Sequence, residues 1–311
     1  MDRDPFELRF AKPSFLMRLL VWVLSKRPSP FPDEPDALRK ALDERDPPAD
    51  APTPDAFKSR FTIEDWTVEG QKCVTLHPAS GKSGRHIIYF HGGGFILPMF
   101  KEHWPLVAAL VKATGASVTV PLYEVVPEAS YARAEALADA VFAKLAAEAG
   151  ASNITLAGDS AGGNMAAALA VRLAQRGSAQ AGHLVLFAPW LDVTLSDEAS
   201  RMVEKVDVML RVDSLRVMGE LWAGDRDPKV EGVSPLYASP EVLAALPPTA
   251  IFQGRHDIFV VDCRNFARKA AAAGHPVQLY EYGGAPHVFM ALTPTREAKD
   301  CLALVGDFVA V

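Results

Sequence analysis

A serine attacks a carbonyl only when its hydroxyl stands clear of the chain, a neighbouring base takes its proton, and donors wait for the developing oxyanion. Ser160, in Gly158-Asp159-Ser160-Ala161-Gly162-Gly163, has the local setting for that chemistry. The hexapeptide follows a short apolar run, 153–157, and precedes an Ala-rich stretch of helical character. Gly-x-Ser-x-Gly between a strand and a helix describes a nucleophile elbow, a strained turn whose glycines let neighbouring backbone cross closely. Negative charge formed at Ser160 would face the unpaired N–H groups and positive end of a helix beginning near Ala161. A glycine turn with a helix-capping serine has the same sequence, so other segments must decide.

His91-Gly92-Gly93-Gly94 directly follows the strand-like Arg85–Phe90. Three glycines at a strand end let main-chain N–H groups turn to a ligand unobstructed, and the expected ligand is an oxyanion. Phosphate cradling is the competing use, yet neither Gly-x-x-x-x-Gly-Lys-Ser/Thr nor Gly-x-Gly-x-x-Gly occurs in the chain. Gly92 and Gly93 are therefore the expected donors from this loop, joined by the N–H of Ala161, the residue after the serine.

The base and its orienting acid should follow in the order Ser, Asp or Glu, His. Asp257 ends Gln253-Gly254-Arg255-His256-Asp257, just past the apolar Thr249–Phe252. His287 ends Gly283-Gly284-Ala285-Pro286-His287, just past the strand-like Val277–Tyr282. Both fall on loops at strand ends, where an α/β sheet places its site. His256 adjoins the proposed acid and is better placed as a loop residue. Asp262 is an alternative acid, but it falls where the next helix begins and suits an N-terminal cap. Asp159 has two readings, a pocket-shaping carboxylate or an acid at a helix start.

With the elbow, the glycine loop and the ordered Asp and His in place, the chain resembles the hormone-sensitive lipase-like, bacterial family IV branch of the α/β-hydrolases. Further matching segments are Tyr123 through Pro127-Glu128, similar to that family's Tyr-Arg-Leu-Ala-Pro-Glu, Pro189-Trp190-Leu191-Asp192, and Ser234-Pro235-Leu236. The resemblance covers roughly residues 57–311. It implies Ser160, Asp257 and His287 as a catalytic triad, with Gly92, Gly93 and Ala161 as the oxyanion hole. It implies a carboxylesterase or lipase-like hydrolase acting on short to medium acyl esters, with no cofactor and no metal. Glu124 stands where the family has arginine, so an ion pair made there is expected to change, and Val288-Phe289 replaces Gly-Phe after the histidine. An amidase or peptidase would use the same triad, and a non-catalytic receptor of this fold would lack the histidine that His287 supplies.

The elements needed to position these residues are present. Strands are expected near 60–68, 71–77, 85–90, 116–121, 153–157, 183–188, 249–253 and 277–282. Helices are expected at 102–114, 130–149, 161–176, 260–273 and 296–309. This alternation predicts an α/β fold of the α/β-hydrolase type, with a mostly parallel eight-stranded sheet flanked by helices. With 311 residues and 49% hydrophobic content, the chain can bury a large core in one such unit.

Two segments break the alternation. Residues 1–55 hold a helical stretch, Ser14–Leu24, and proline-rich runs at 27–35 and 47–54, while 195–232 is a long insertion before the seventh strand. The resemblance implies that both contribute to a helical cap over the catalytic domain of residues 56–311. Phe95, Trp104, Asp159, Met209 and Trp222 are then candidates for the substrate pocket.

Phe15, Leu16, Leu19, Leu20, Val23 and Leu24 give the first helix an apolar face, with Arg18, Lys26 and Arg27 adding positive charge. The stretch is too short to span a bilayer, and no small-residue cleavage site marks a signal peptide. Packing in the cap explains the face better than a membrane surface does. A net charge of −6 gives no reason to expect nucleic acid as a partner. Cys73, Cys263 and Cys301 are few, scattered and odd in number, which fits packing residues and a cytoplasmic setting. The family includes dimers, and an exposed final strand and helix would suit a homodimer.

Overall fold

The structure, a computed structural model, describes residues 4–26 and 32–310; Arg27 and most of the first proline-rich run lie outside the described residues. One mixed sheet organises the chain. Its strands are β1 (Phe6–Phe10), β2 (Thr62–Val68), β3 (Gln71–His77), β4 (His86–Phe90), β5 (Ser117–Pro121), β6 (Ile154–Asp159), β7 (His183–Phe187), β8 (Thr249–Gly254) and β9 (Val277–Tyr282). They lie in the order β1-β9-β8-β7-β6-β4-β5-β3-β2. Pairings from β1 through β5 are parallel, and β3 pairs antiparallel with both β5 and β2. The hairpin between β2 and β3 turns at Glu69 and Gly70, both at positive φ (50° and 71°), the geometry that matches the twist of a two-residue hairpin.

The central strands are near-continuous apolar runs because helices cover both faces. In β4, Ile88 and Phe90 enter the core on one face, while Ile87 and Tyr89 enter the core on the other. Helices α4 (Tyr131–Ala149), α5 (Ala161–Gln175) and α9 (Val260–Ala272) contribute to the first core; α3 (His103–Thr114) and α10 (Arg296–Val309) contribute to the second. The remaining helices are α1 (Phe15–Leu24), α2 (Pro35–Asp43), α6 (Ala199–Glu204), α7 (Val212–Ala223) and α8 (Pro240–Ala244).

The eight expected strands and five expected sheet-flanking helices are all present, with ends moved by a few residues. The sheet has a ninth strand. Phe6–Phe10, expected to belong with the rest of the first 55 residues in a cap, runs parallel to β9 and extends the sheet edge. Consequently β9 is not an open edge, and the pairing surface expected of the final strand is already covered by β1.

A second correction concerns α1. Ser14 caps the helix by accepting the Met17 N–H at 3.2 Å, and Glu297 holds Ser14 through its N–H (2.6 Å) and hydroxyl (2.8 Å). Met17 is buried, but of the expected apolar face Phe15 (74%), Leu16 and Leu19 are exposed and Leu20, Val23 and Leu24 only half-buried, so that face is not fully packed into a cap. The Ser14 cap holds the start of the helix at α10, leaving Phe15, Leu16 and Leu19 outward. Among the described residues, no helix is long and apolar enough to cross a membrane.

The insertion meets the N-terminal region elsewhere. Helix α7 packs on α2, with Arg39 and Glu220 paired at 2.6 Å and Ser214 Oγ donating to the Pro32 carbonyl at 3.0 Å.

Candidate active site

Ser160 sits between β6 and α5 at φ 54°, ψ −121°, a strained conformation for a residue with a side chain. The surrounding backbone imposes it. Ser160 N–H donates to the Phe187 carbonyl at 2.9 Å, and the Ser160 carbonyl accepts from Trp190 and Asn164, each at 3.1 Å. Close crossing of α5 and β4 makes the turn possible: a Cβ on Gly162 would lie 2.0 Å from the Phe90 carbonyl oxygen. The side chain of Asn164, one turn into α5, donates to the carbonyls of Trp190 (2.8 Å) and Val233 (2.9 Å), fixing the next loop against the elbow.

His287 and Asp257 come together from the loops after β9 and β8, with Nδ1 of the histidine 2.8 Å from Oδ2 of the acid. Asp257 is fully buried, and its Oδ1 accepts the Phe259 N–H at 2.9 Å. Burial alone would lower the affinity of His287 for a proton; the Asp257 carboxylate and its hydrogen bond, with Asp207 and Asp159, outweigh this and raise its pKa above 6.5. Ser160 Oγ makes no hydrogen bond to the imidazole among the described residues. Serine hydroxyls in unliganded sites commonly wait for substrate before that contact tightens.

Neither competing side chain hydrogen-bonds to this pair among the described residues. His256 is half-buried on the same loop, and its imidazole makes no hydrogen bond among the described residues. Asp262 is inside α9 rather than at its cap; its carboxyl is buried without a partner and pushed up to about 8 by burial and by Asp192 and Asp197.

The glycine loop departs from expectation at one position. Gly92 N–H donates to Asp159 Oδ1 at 3.0 Å, so this donor is already committed and does not face an empty site. Tyr89 donates its hydroxyl to the same oxygen, and His103 Nε2 lies 3.8 Å from Oδ2. Burial raises the pKa of Asp159 against the opposing pull of Tyr89, His91 and Gly92. Asp159 thus ties the loop after β4 to the elbow. The N–H groups of Gly93, Gly94 and Ala161 enter no hydrogen bond among the described residues. Gly93 and Gly94 take φ of 125° and 62°, and Phe95 one of 63°, which turns the loop sharply back.

Tyr123 supports this loop by stacking on His91 at 4.3 Å and donating to its carbonyl at 2.8 Å. The neighbouring Glu124, in place of an arginine, pairs with Arg133 instead, its Oε1 2.9 Å from Nη2.

Of the pocket candidates, Phe95 and Trp222 stack at 4.0 Å with planes 7° apart. Trp190 continues the stack from Phe95, Phe259 follows Trp190, and Phe259 meets the His287 ring edge-on at 5.2 Å. Met209 is half-buried in the insertion, its N–H bound by Asp207. Trp104 is a correction: it is buried in the core on the opposite sheet face with its indole N–H on the Ala51 carbonyl at 3.1 Å. The sequence pattern of an aromatic near the glycine loop did not reveal that α3 carries it to the other face.

Residues not singled out from sequence complete the site. Tyr89 reads as an ordinary strand aromatic, and Arg45, which donates to the Ile96 and Val126 carbonyls, reads as a surface charge. Met218 of α7 lies over the glycine loop, its Sδ 2.7 Å from where a Gly94 Cβ would be. Asp207 reaches the Asp257 loop from the insertion.

A family model described as alpha/beta hydrolase fold matches residues 87–291, a stretch that includes the elbow, the glycine loop, Asp257 and His287. The chain belongs to this α/β-hydrolase family. It is 32% identical over 233 residues to an esterase of Acinetobacter venetianus, covering 74% of this chain and 76% of that protein. It is 31% identical over 235 residues to a triacylglycerol lipase of Mycobacterium tuberculosis; that match covers 75% of this chain but spans about half, 48%, of the longer lipase. Among solved structures, the hormone-sensitive lipase homologue EstE7 from a metagenome library superposes with a TM-score of 0.78 at 27% identity, covering 96% of this chain and 99% of that one.

Proposed function

We propose that this protein is a serine carboxylic ester hydrolase that turns over short to medium acyl esters through an acyl-enzyme on Ser160. The observation that carries the reading is the buried His287–Asp257 pair at 2.8 Å, at the same end of the sheet as a serine held at positive φ. His287, oriented by Asp257, takes the Ser160 proton as Oγ attacks the ester carbonyl; the alcohol leaves with that proton, and water activated by the same imidazole releases the acid. The unengaged N–H groups of Gly93, Gly94 and Ala161 are the donors for the oxyanion, each worth about 3 to 4 kcal/mol in the transition state. Gly92 serves the loop rather than the oxyanion.

Helices α2, α6 and α7 act as the cap that excludes water from this chemistry. The short-to-medium preference follows the resemblance to the hormone-sensitive lipase-like branch, and the Phe95–Trp222 stack, continued through Trp190 to the elbow, is packed into the core beside it. The unpaired, buried Cys73, Cys263 and Cys301 support a cytoplasmic setting.

A series of p-nitrophenyl esters from acetate to laurate, run beside matched anilides, tests the assignment. It should show kcat/KM highest for butyrate to octanoate, falling towards laurate, with anilides far slower. Anilide turnover equal to that of the esters would make the protein an amidase instead.

A further inference from the structure

One buried carboxylate reaches the site from the insertion and has no place in the steps above. Asp207 lies between α6 and α7 and is 5% exposed. Its Oδ1 accepts the N–H groups of Met209 (2.8 Å) and Leu210 (3.0 Å), a turn that closes on itself. Its Oδ2 does something the turn does not require: it accepts, at 3.0 Å, the N–H of Ile258, the residue immediately after Asp257. Asp257 in turn takes the N–H of Phe259 with Oδ1 and faces His287 with Oδ2. Two successive N–H groups of one loop are thus divided between the acid of the triad and a carboxylate from the insertion.

A buried carboxylate needs compensation, and among the described residues no lysine or arginine pairs with it. Arg211, from the same segment, donates to the Asp207 carbonyl at 3.2 Å and the Leu210 carbonyl at 2.7 Å, not to the carboxylate. From the packed loops, the charges that act on Asp207 are Asp257 and His287; Asp257 also acts on the buried Cys263 thiol, and Asp159 acts on His287 from the elbow. The imidazole is the one cationic partner among these that comes and goes in the reaction.

We infer that Asp207 is a positioning residue for the reaction, clamping the Asp257 loop and adding a second negative charge behind His287, so that docking of the insertion sets how basic His287 is. This rests on the Ser160–His287–Asp257 reading. Burial and the Asp257 charge push Asp207 above the usual carboxylate range, and Asp207 is among the groups that raise His287. When ionised, Asp207 favours the imidazolium that forms as Ser160 attacks.

The test uses the full chain and p-nitrophenyl butyrate. Ester turnover by the wild type that disappears in Ser160→Ala secures the parent reading; turnover that survives in Ser160→Ala defeats that reading, whatever Asp207 does. Asp207→Asn and Asp207→Ser remove the charge while keeping a short polar acceptor, and Asp207→Glu keeps the charge. In whichever neutral variants melt as folded proteins, kcat should fall roughly ten- to a hundredfold with KM changed less. The acidic limb of kcat/KM should also move to lower pH by about half a unit or more. Asp207→Glu should retain the wild-type limb even where kcat drops. A limb that stays in place in the neutral variants would overturn the inference, as would failure of both neutral variants to fold while Asp207→Glu folds, since either result makes Asp207 a scaffold group only.

Discussion

Asp159 Oδ1 accepts the N–H of Gly92 at 3.0 Å across 67 residues of sequence, so the residue before Ser160 holds the glycine loop in place. Breaking this link should displace Gly93 and Gly94; Asp159→Ala also removes one of the charges that raise His287, whereas Gly92→Ala leaves that charge in place. Asp159→Ala and Gly92→Ala should each lower kcat for p-nitrophenyl butyrate by about a hundredfold with smaller changes in KM. A Gly92 Cβ would lie 2.3 Å from Asp159 Oδ2, so both substitutions strike the same contact, and the double variant should be little worse than either single one. Independent, multiplicative losses would show that the two residues do not act through one another.

Gly162 presents a different kind of demand. The nearest atom to an added Cβ is the Phe90 carbonyl oxygen, 2.0 Å away, and backbone cannot swing aside as a side chain end can. Gly162→Ala should cost about 3 kcal/mol or more. Thermal melting should show a fall of several degrees or loss of soluble protein, and a variant as stable as wild type would mean α5 and β4 do not approach this closely.

How much of this was legible beforehand depends on whether the signal was local. The turn at Ser160, the glycine loop and the loops carrying Asp257 and His287 each sit at a switch from apolar strand to glycine turn, and such punctuation can be read directly. The β1 strand was missed because five residues, Phe6–Phe10, become a strand only by lying along β9, some 270 residues later. Trp104 was misplaced for a related reason: a helix turns its side chains through every direction, so nearness in sequence to His91 says nothing about sheet face. Asp207 is the extreme case. Its local sequence announces a turn, and its bond to Ile258 exists only once the insertion folds back over β8.

Four histidines should govern acid stability. His86, His103 and His275 are held at about 4 and His91 at about 3, in each case chiefly by burial, so the folded chain refuses protons that the unfolded chain accepts near 6.5. Stability from these groups is therefore complete above about pH 6.5 and lost as pH falls towards 4, at up to about 1.4 kcal/mol per pH unit for each histidine. Denaturant midpoints should drop steeply between pH 6.5 and 5. A flat profile there would mean that these imidazoles are accessible to protons in the folded state.

His287, the proposed base, behaves in the opposite sense. Because His287 is raised above its ordinary value and must be neutral to accept the Ser160 proton, kcat/KM should rise with pH through a midpoint above about 6.5. Asp257→Asn should reduce kcat by about ten-thousandfold, since the imidazole loses the acceptor that fixes its tautomer. A pH–rate profile with its midpoint well below 6.5 would be inconsistent with the charges arranged around this imidazole.

The most direct measurement of the central claim is the pairing of a fluorophosphonate label with the Ser160→Ala variant. Intact-mass and peptide analysis should find one adduct per chain, on Ser160, with ester hydrolysis lost in step with labelling. Ser160→Ala should take no label and lose on the order of a millionfold in kcat. Label on another residue, together with full ester turnover by Ser160→Ala, would contradict the account.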